Sequence, residues 1–408
     1  MHILFLTDNF PPEVNAPASR TYEHCREWIR QGAQVTVVTC APNFPSGRVF
    51  DGYRNALWQS TYVDGIRVIR VWSFISSNQG FFKRILDYLS FMLSSLVASL
   101  FIRRVDVVVG TSPQFFTACA AYLVGLIKCR PWVFELRDLW PESIKAVGAM
   151  NDTFLIRLLE KVEFYLYRKA DRIVAVTSSF RDSLIRRGIS GGKIDVVTNG
   201  VDIEKYQPSP KDVVLNRELG LEGYFVAGYI GTHGMAHGLE TLLEAAEILQ
   251  KRPDAADVRF LFIGNGAEKL ELVNRSQQMN LRNVLFIDSV AKTEVARYWS
   301  LLDVSVIHLR KSDLFDGVIP SKLFECMGMG IPVLHGVPGE SSEIVLKAGV
   351  GEVFESGNSQ ALADALMRVK LDPVRRLLYS TQGPVAARTY NRNDLARCML
   401  DIIGTLAH

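Results

Sequence analysis

Short apolar runs alternate with helix-period stretches along almost the whole chain, and that alternation leaves few folds open to it. In the first half the runs fall at 2–7, 34–39, 67–72, 105–109, 132–135, 172–176 and 194–197. Between them lie helical patterns near 17–31, 80–102, 114–127, 152–169 and 178–187. Runs that are apolar throughout suit strands buried on both faces, which is the parallel sheet of α/β proteins. The rhythm breaks in a polar, proline-containing stretch, Glu204–Gly223, then restarts with runs at 224–230, 258–263, 284–287, 304–307, 332–334 and 352–354. The expectation is an α/β chain of two doubly wound domains, 1–203 and 204–385. A last helix within 386–408 crosses back onto the first domain. A chain of 408 residues can fill two such cores.

The net charge of +3 is too small to argue for nucleic acid, but its distribution is uneven. Residues 1–203 hold 24 Lys and Arg against 18 acids, the remainder 22 against 25, so the halves suit different partners. The six cysteines are scattered without a Cys-x-x-Cys pair, which reads as buried free thiols rather than a zinc site. The N-terminus lacks the basic start and cleavage site of a signal peptide. Residues 81–104 are the most apolar stretch, but Asp87 and four serines argue against a bilayer span. A packed helix with a membrane-facing start at Phe81-Phe82-Lys83-Arg84 fits better.

Ligands of open α/β sheets bind beyond the carboxyl ends of the strands, so the loops just after each run hold the candidate site. Two domains facing one another would enclose a cleft there. After the first run, Asp8 to Ala18 joins strand to helix through small residues and prolines, with Asn15 near the helix start. It contains no Gly-x-Gly-x-x-Gly, which disfavours a nicotinamide dinucleotide. Arg137 and Asp138 leave the sheet after Phe134-Glu135-Leu136, either as site residues or as a pair holding a loop over Trp140. In the second domain, Gly231-Thr232-His233-Gly234-Met235-Ala236-His237-Gly238 frees the backbone to wrap an anion at a helix start. His233 and His237 would donate to phosphate oxygens with charges that vary near neutral pH. Gly264-Asn265-Gly266 repeats the strand-then-glycine pattern, and Asp288-Ser289-Val290 offers backbone groups to a nucleobase. From Pro320 a helix opens with Lys322 and Glu325 on nearly one side, ending at Gly328 and Gly330. Cation, anion and helix-start amides together suit a phosphorylated, hydroxyl-rich ligand.

The order of these segments resembles family 4 of the retaining, nucleotide-sugar-dependent glycosyltransferases, which have the GT-B fold. The resemblance rests on the Pro11-Pro12-Glu13 loop, Val197-Thr198-Asn199-Gly200-Val201-Asp202, Gly264-Asn265-Gly266, and Glu325 followed by Gly330 and Pro332. The strings Arg137-Asp138-Leu139-Trp140-Pro141-Glu142-Ser143, Gly231 to His237 and Pro320-Ser321-Lys322 are similar to a WbuB-like branch, which includes N-acetyl-L-fucosamine transferases of bacterial surface polysaccharides. There are departures. The family usually places an Arg and a Lys where Thr232 and His237 stand, a His where Arg137 stands, and a first glutamate where Gly317 stands beside Asp316.

The resemblance implies a metal-independent hexosyltransferase with a UDP-sugar as donor substrate and no resident cofactor. No Asp-x-Asp occurs to hold a metal. It implies a nucleotide-binding second domain using Gly231, Thr232, His233, Gly264, Asn265, Gly266, Val290, Pro320, Lys322 and Glu325. The missing basic charge would come from Lys322, Arg310 or Lys311, and Asn15 adds a contact from the first domain. Arg137, Asp138, His237 and Lys322 would be catalytic. The first domain would take a lipid-linked saccharide of O-antigen or capsule synthesis at the cytoplasmic membrane face. A nucleotide-sugar 2-epimerase and a non-catalytic nucleotide-sugar-binding scaffold are the alternatives.

Overall fold

The computed structural model describes residues 1–44, 46–75, 81–139, 154–312 and 315–407. The chain divides into two compact units, Met1–Thr198 with Arg392–His408, and Asn199–Asn391. In the first, strands β1 (His2–Leu6), β2 (Gln34–Cys40), β3 (Trp58–Val63), β4 (Ile66–Val71), β5 (Val107–Thr111), β6 (Trp132–Leu136), β7 (Arg172–Ala175) and β8 (Ile194–Val196) form one sheet in the order β3-β4-β2-β1-β5-β6-β7-β8. Every pairing is parallel except β3 with β4. Helices α1 (Ala16–Arg30), α2 (Phe81–Leu100), α3 (Phe115–Lys128), α4 (Phe154–Lys169) and α5 (Ser178–Arg186) connect them.

Strand β3 is not among the apolar runs. Its residues alternate without a buried face, because it is a solvent-exposed edge strand. It forms by hairpin pairing with β4 across Asp64-Gly65, both at positive φ, the Asp-Gly signature of a tight primed turn.

The second unit holds β9 (Phe225–Ile230), β10 (Val258–Ile263), β11 (Val284–Ile287), β12 (Val304–His308), β13 (Val333–Gly336) and β14 (Gly351–Val353), all parallel, in the order β11-β10-β9-β12-β13-β14. Its helices are α6 (Val213–Glu218), α7 (Glu240–Gln250), α8 (Lys269–Gln278), α9 (Val295–Trp299), α10 (Lys322–Met329), α11 (Glu340–Ala348), α12 (Ser359–Leu371) and α13 (Pro373–Ala387). Strand β9 is buried along its whole length, the pattern expected at the centre of a sheet covered on both faces. Residues 386–391, expected with the returning helix, belong instead to this second unit, where the amide of Val201 donates to the Tyr390 carbonyl at 2.9 Å.

The last helix, α14 (Arg392–Gly404), packs on α1. Ala396, Met399 and Ile403 join Phe5 and Trp28 in the core, and the Trp28 indole donates to the Ala396 carbonyl at 2.7 Å. Arg392 pairs with Glu23, and Arg397 with Glu27 at 2.8 Å. The first unit is therefore closed by residues from the far end of the chain.

Arg20 is the polar tie within this unit. From α1 its Nε donates to Glu135 Oε1 on β6 at 2.8 Å, and its two Nη atoms donate to the carbonyls of Thr198 and Val197 at 2.7 and 2.9 Å. Both side chains are almost fully buried, so either one alone would be an uncompensated charge. Of the cysteines, Cys25, Cys40 and Cys326 are buried, but Cys129 and Cys398 are exposed. Their places at the end of α3 and on the outer face of α14 leave both in solvent, against the expected burial.

Glu135→Ala should lower stability by about 3–5 kcal/mol. Chemical unfolding followed by tryptophan fluorescence checks this, and an unchanged midpoint would show that the ion pair is not holding α1 to the sheet.

Candidate active site

Strand order in the second unit reverses between β9 and β12, the switch point at which open α/β sheets bind ligands. The loops after β9, β10, β11 and β12 all end at that edge. Two of them are sewn together. The amide of Gly231 donates to the Ile263 carbonyl at 2.9 Å, that of His233 to the Asn265 carbonyl at 2.9 Å, and that of Glu268 to the His233 carbonyl at 2.9 Å. Glycine is required for this approach. Gly231 and Gly264 have φ of +146° and +144°, and a Cβ on Gly264 would lie 1.9 Å from the Gly231 carbonyl oxygen. Asn265 Oδ1 accepts from the Gly266 amide at 2.8 Å.

This stitching corrects part of the expectation. The amides of Gly231 and His233 are spent on carbonyls and cannot also wrap an anion. Those of Thr232 and Gly234 carry no hydrogen bond among the described residues. The His233 side chain is fully buried beneath the loop, among the rings of Tyr229, Phe262 and Phe286.

The histidine charges are corrected as well. Burial, with the Lys269 and Lys322 charges, brings His233 down to about 4. Burial and Lys322 bring His237 down to about 3. Both imidazoles are neutral near pH 7, so any contact they make to phosphate is through a neutral N–H.

Lys322 is the group that titrates near neutrality. It opens α10, two residues beyond Pro320, where the helix was expected to begin. Its Nζ lies 3.6 Å from the centre of the Tyr229 ring and is packed against Gly231, whose hypothetical Cβ would sit 2.7 Å away. It is buried and has no hydrogen-bond partner among the described residues. Burial pulls its pKa from the usual lysine range to about 7, opposed in part by the nearby Glu325 carboxylate. Lys322 follows β12 and Tyr229 lies on β9, so this contact spans the switch point.

Other cations prove committed. Arg310 pairs with Glu240 at 3.0 Å and Glu268 at 3.1 Å, and Lys311 with Glu355 at 3.0 Å. Among the candidates for the missing charge, only Lys322 has no ion-pair partner among the described residues. Glu325 is half-buried one turn along α10, and Val290 is half-buried against the core of its unit.

Sequence reasoning passed over three contributors. Tyr229 carries Lys322 on its ring and donates from its hydroxyl to the Thr232 carbonyl at 2.7 Å. Its signal was an aromatic next to last in the strand before the glycine loop. His308 Nε2 accepts from the Gly357 amide at 2.9 Å, so its proton is on Nδ1, which donates to the His237 carbonyl at 2.8 Å. Lys269 Nζ donates to the carbonyls of Gly264 and Ile287 at 2.9 and 3.0 Å and to Asp288, clamping the ends of β10 and β11. Nothing in their spacing marked the last two.

In the first unit, Arg137 and Asp138 follow β6 as expected. Both amides donate to Ser112 Oγ after β5, at 2.8 and 3.2 Å, and Arg137 Nη1 donates to the Pro17 carbonyl at 3.2 Å. Burial lowers the Arg137 pKa to about 10. The loop expected to lie over Trp140 falls outside the described residues. Asn15 serves as the N-cap of α1, accepting from the Ala18 amide at 2.9 Å, and its amide group donates to Asn9. That capping uses the side chain expected at the nucleotide.

Residues 18–205 match the family described as Glycosyltransferase Family 4, and residues 215–384 match Glycosyl transferases group 1. Two relatives at 25% identity are WcaI of Escherichia coli, described as a colanic acid biosynthesis glycosyl transferase, and TuaH of Bacillus subtilis, described as a teichuronic acid biosynthesis glycosyltransferase. The first alignment covers 81% of this chain and 82% of WcaI, the second 68% and 67%. The fold superposes on sucrose-phosphate synthase of Thermosynechococcus elongatus with a TM-score of 0.79 and 17% identity, over 99% of this chain and 98% of that one. It also superposes on Anabaena Alr3699/HepE in complex with UDP, with a TM-score of 0.71 and 17% identity over the whole of both chains. The chain is a glycosyltransferase of the GT-B fold.

With Cε-labelled lysine, NMR should show one resonance titrating near pH 7 that disappears in Lys322→Arg. A Lys322 midpoint in the ordinary range, about 10.4, would contradict the buried, unpaired ammonium.

Proposed function

We propose that this enzyme transfers a sugar, with N-acetyl-L-fucosamine as first candidate, from a UDP-sugar to a lipid-linked saccharide, retaining the anomeric configuration. The products are bacterial surface polysaccharides such as O-antigen or capsule, made at the cytoplasmic face of the cell membrane. The observation that carries the donor half is the buried Lys322 ammonium at the switch point, which packs against Gly231 and has no hydrogen-bond partner among the described residues. Support for the pathway comes from WcaI and TuaH, and HepE binds UDP and UDP-glucose.

In this reading Lys322, the neutral His237 N–H and the amides of Thr232 and Gly234 hold the diphosphate, and Glu325 accepts from the ribose hydroxyls. Charge grows on the departing diphosphate oxygen as its bond to the anomeric carbon breaks, and fixed donors there lower the barrier. The acceptor hydroxyl oxygen forms the new bond on the same face of the sugar. Its proton passes to the departing phosphate, and UDP leaves. Arg137 and Asp138 orient the sugars, and no metal takes part.

A diphosphate next to Lys322 stabilises its charged form and raises its pKa above about 7. At pH 8 the free lysine is mostly neutral and the bound one protonated, so binding takes up close to one proton. Affinity then falls as pH rises through the pKa of the bound form. Calorimetry of UDP binding at pH 8 in two buffers of different ionisation enthalpy measures that uptake, which Lys322→Met should abolish. Glu325→Ala should weaken UDP about tenfold or more through the lost charged acceptor, with chelator making no difference. No UDP binding, or binding without proton uptake, would reject the donor site as drawn.

A further inference from the structure

We propose that the outer face of the layer formed by α2, α3 and α4 is a docking surface for an anionic lipid bilayer. On α2, Leu86, Leu93, Val97 and Leu100 are exposed, and Phe101 just beyond it is 73% exposed. Spacings of 7, 11 and 14 residues from Leu86 put Leu93, Val97 and Leu100 within a narrow arc of one helix face. The opposite side of the same helix is core, with Phe91 and Ala98 buried. The side chains of Phe81, Phe82 and Arg84, where a membrane contact was expected, lie outside the described residues, whereas the exposed stripe runs to the other end of α2.

The stripe continues onto α3, which packs against α2. Lys128 Nζ donates to the carbonyls of Leu100 and Ile102, at 3.4 and 2.7 Å, and so fixes the end of α3 beside the end of α2. Leu126 and Ile127, both exposed, lie in the same last turn of α3.

Charge decides what this surface meets. Residues 81–104, 115–130 and 154–169 carry ten Lys and Arg against three acids. Lys83 stands exposed at one end of the stripe, and Arg103, Arg104 and Arg130 at the other. None of the three acids is fully exposed. Glu163 is buried and accepts from the Tyr167 hydroxyl at 2.6 Å, and Asp87 and Glu160 are half-buried. An apolar stripe flanked by cations, with no exposed acid among the described residues of these helices, matches a helix lying in the plane of an anionic lipid surface. A second copy of this chain would bring like charges together. No helix among the described residues is long and apolar enough to cross a bilayer, so the contact is peripheral.

The test is co-sedimentation of the full-length protein with vesicles of phosphatidylcholine, alone or mixed with an equal part of phosphatidylglycerol. The protein should pellet with the mixed vesicles and stay in solution with the neutral ones. Each basic residue near an anionic surface contributes about a fivefold gain in partition, so Arg103→Gln with Arg104→Gln should lower binding about 25-fold. Leu93→Gln, Val97→Gln and Phe101→Ser together should lower it at least as far. All five positions are exposed, so circular dichroism and UDP affinity should match the unmodified protein. Equal binding to neutral vesicles, no binding to anionic ones, or undiminished binding by the substituted proteins would overturn the assignment. So would a dimer that the same substitutions dissociate. The vesicle result stands apart from the donor reading, because UDP is absent from the assay.

Discussion

A buried lysine with no hydrogen-bond partner among the described residues sets the character of the switch point in the second unit. Holding Lys322 protonated where burial has moved its pKa from 10.5 to about 7 costs about 5 kcal/mol relative to water. That is unfavourable until an anion arrives. Placing the lysine there is expensive for the empty fold, and that is a common property of groups held ready for a charged ligand.

The surroundings are built to keep that position open. Gly231 has no side chain, so the lysine can reach the end of β9. The hydrogen bonds between the 231–234 and 264–266 loops hold the backbone still, and His308, through its Nδ1 proton, fixes the carbonyl of His237. Lys269 closes the far side by binding two carbonyls and Asp288. Rigidity here comes from hydrogen bonds within and between the loops. That is why amides expected at the phosphate turn out to be partly structural.

The strand-and-helix rhythm made the parallel sheets legible, because strands buried on both faces must be apolar throughout. The edge strand β3 escaped that reading, since a one-sided solvent edge has no apolar run. Its real signal was the Asp64-Gly65 turn. In the second unit, the helix start that carries Lys322 and Glu325 was legible, and both lie in the first turn of α10. The neutrality of His233 and His237 was not, because it depends on burial and on Lys322, which is about 90 residues away in sequence. The ion pairs that occupy Arg310 and Lys311 likewise join distant residues, and spacing carries no trace of them.

The two units differ in how their polar groups are used. In the first, Arg20 and Glu135 satisfy one another inside the sheet layer, and Ser112 holds the backbone of Arg137 and Asp138. In the second, the Lys322 cation has no hydrogen-bond partner among the described residues. A crystal structure of the complex with UDP tests this contrast most directly. The account predicts a diphosphate oxygen within hydrogen-bond distance of Lys322 Nζ and ribose hydroxyls on Glu325, with Gly231 and His233 still bonded to Ile263 and Asn265. UDP bound with Lys322 still unpaired on the Tyr229 ring would contradict it.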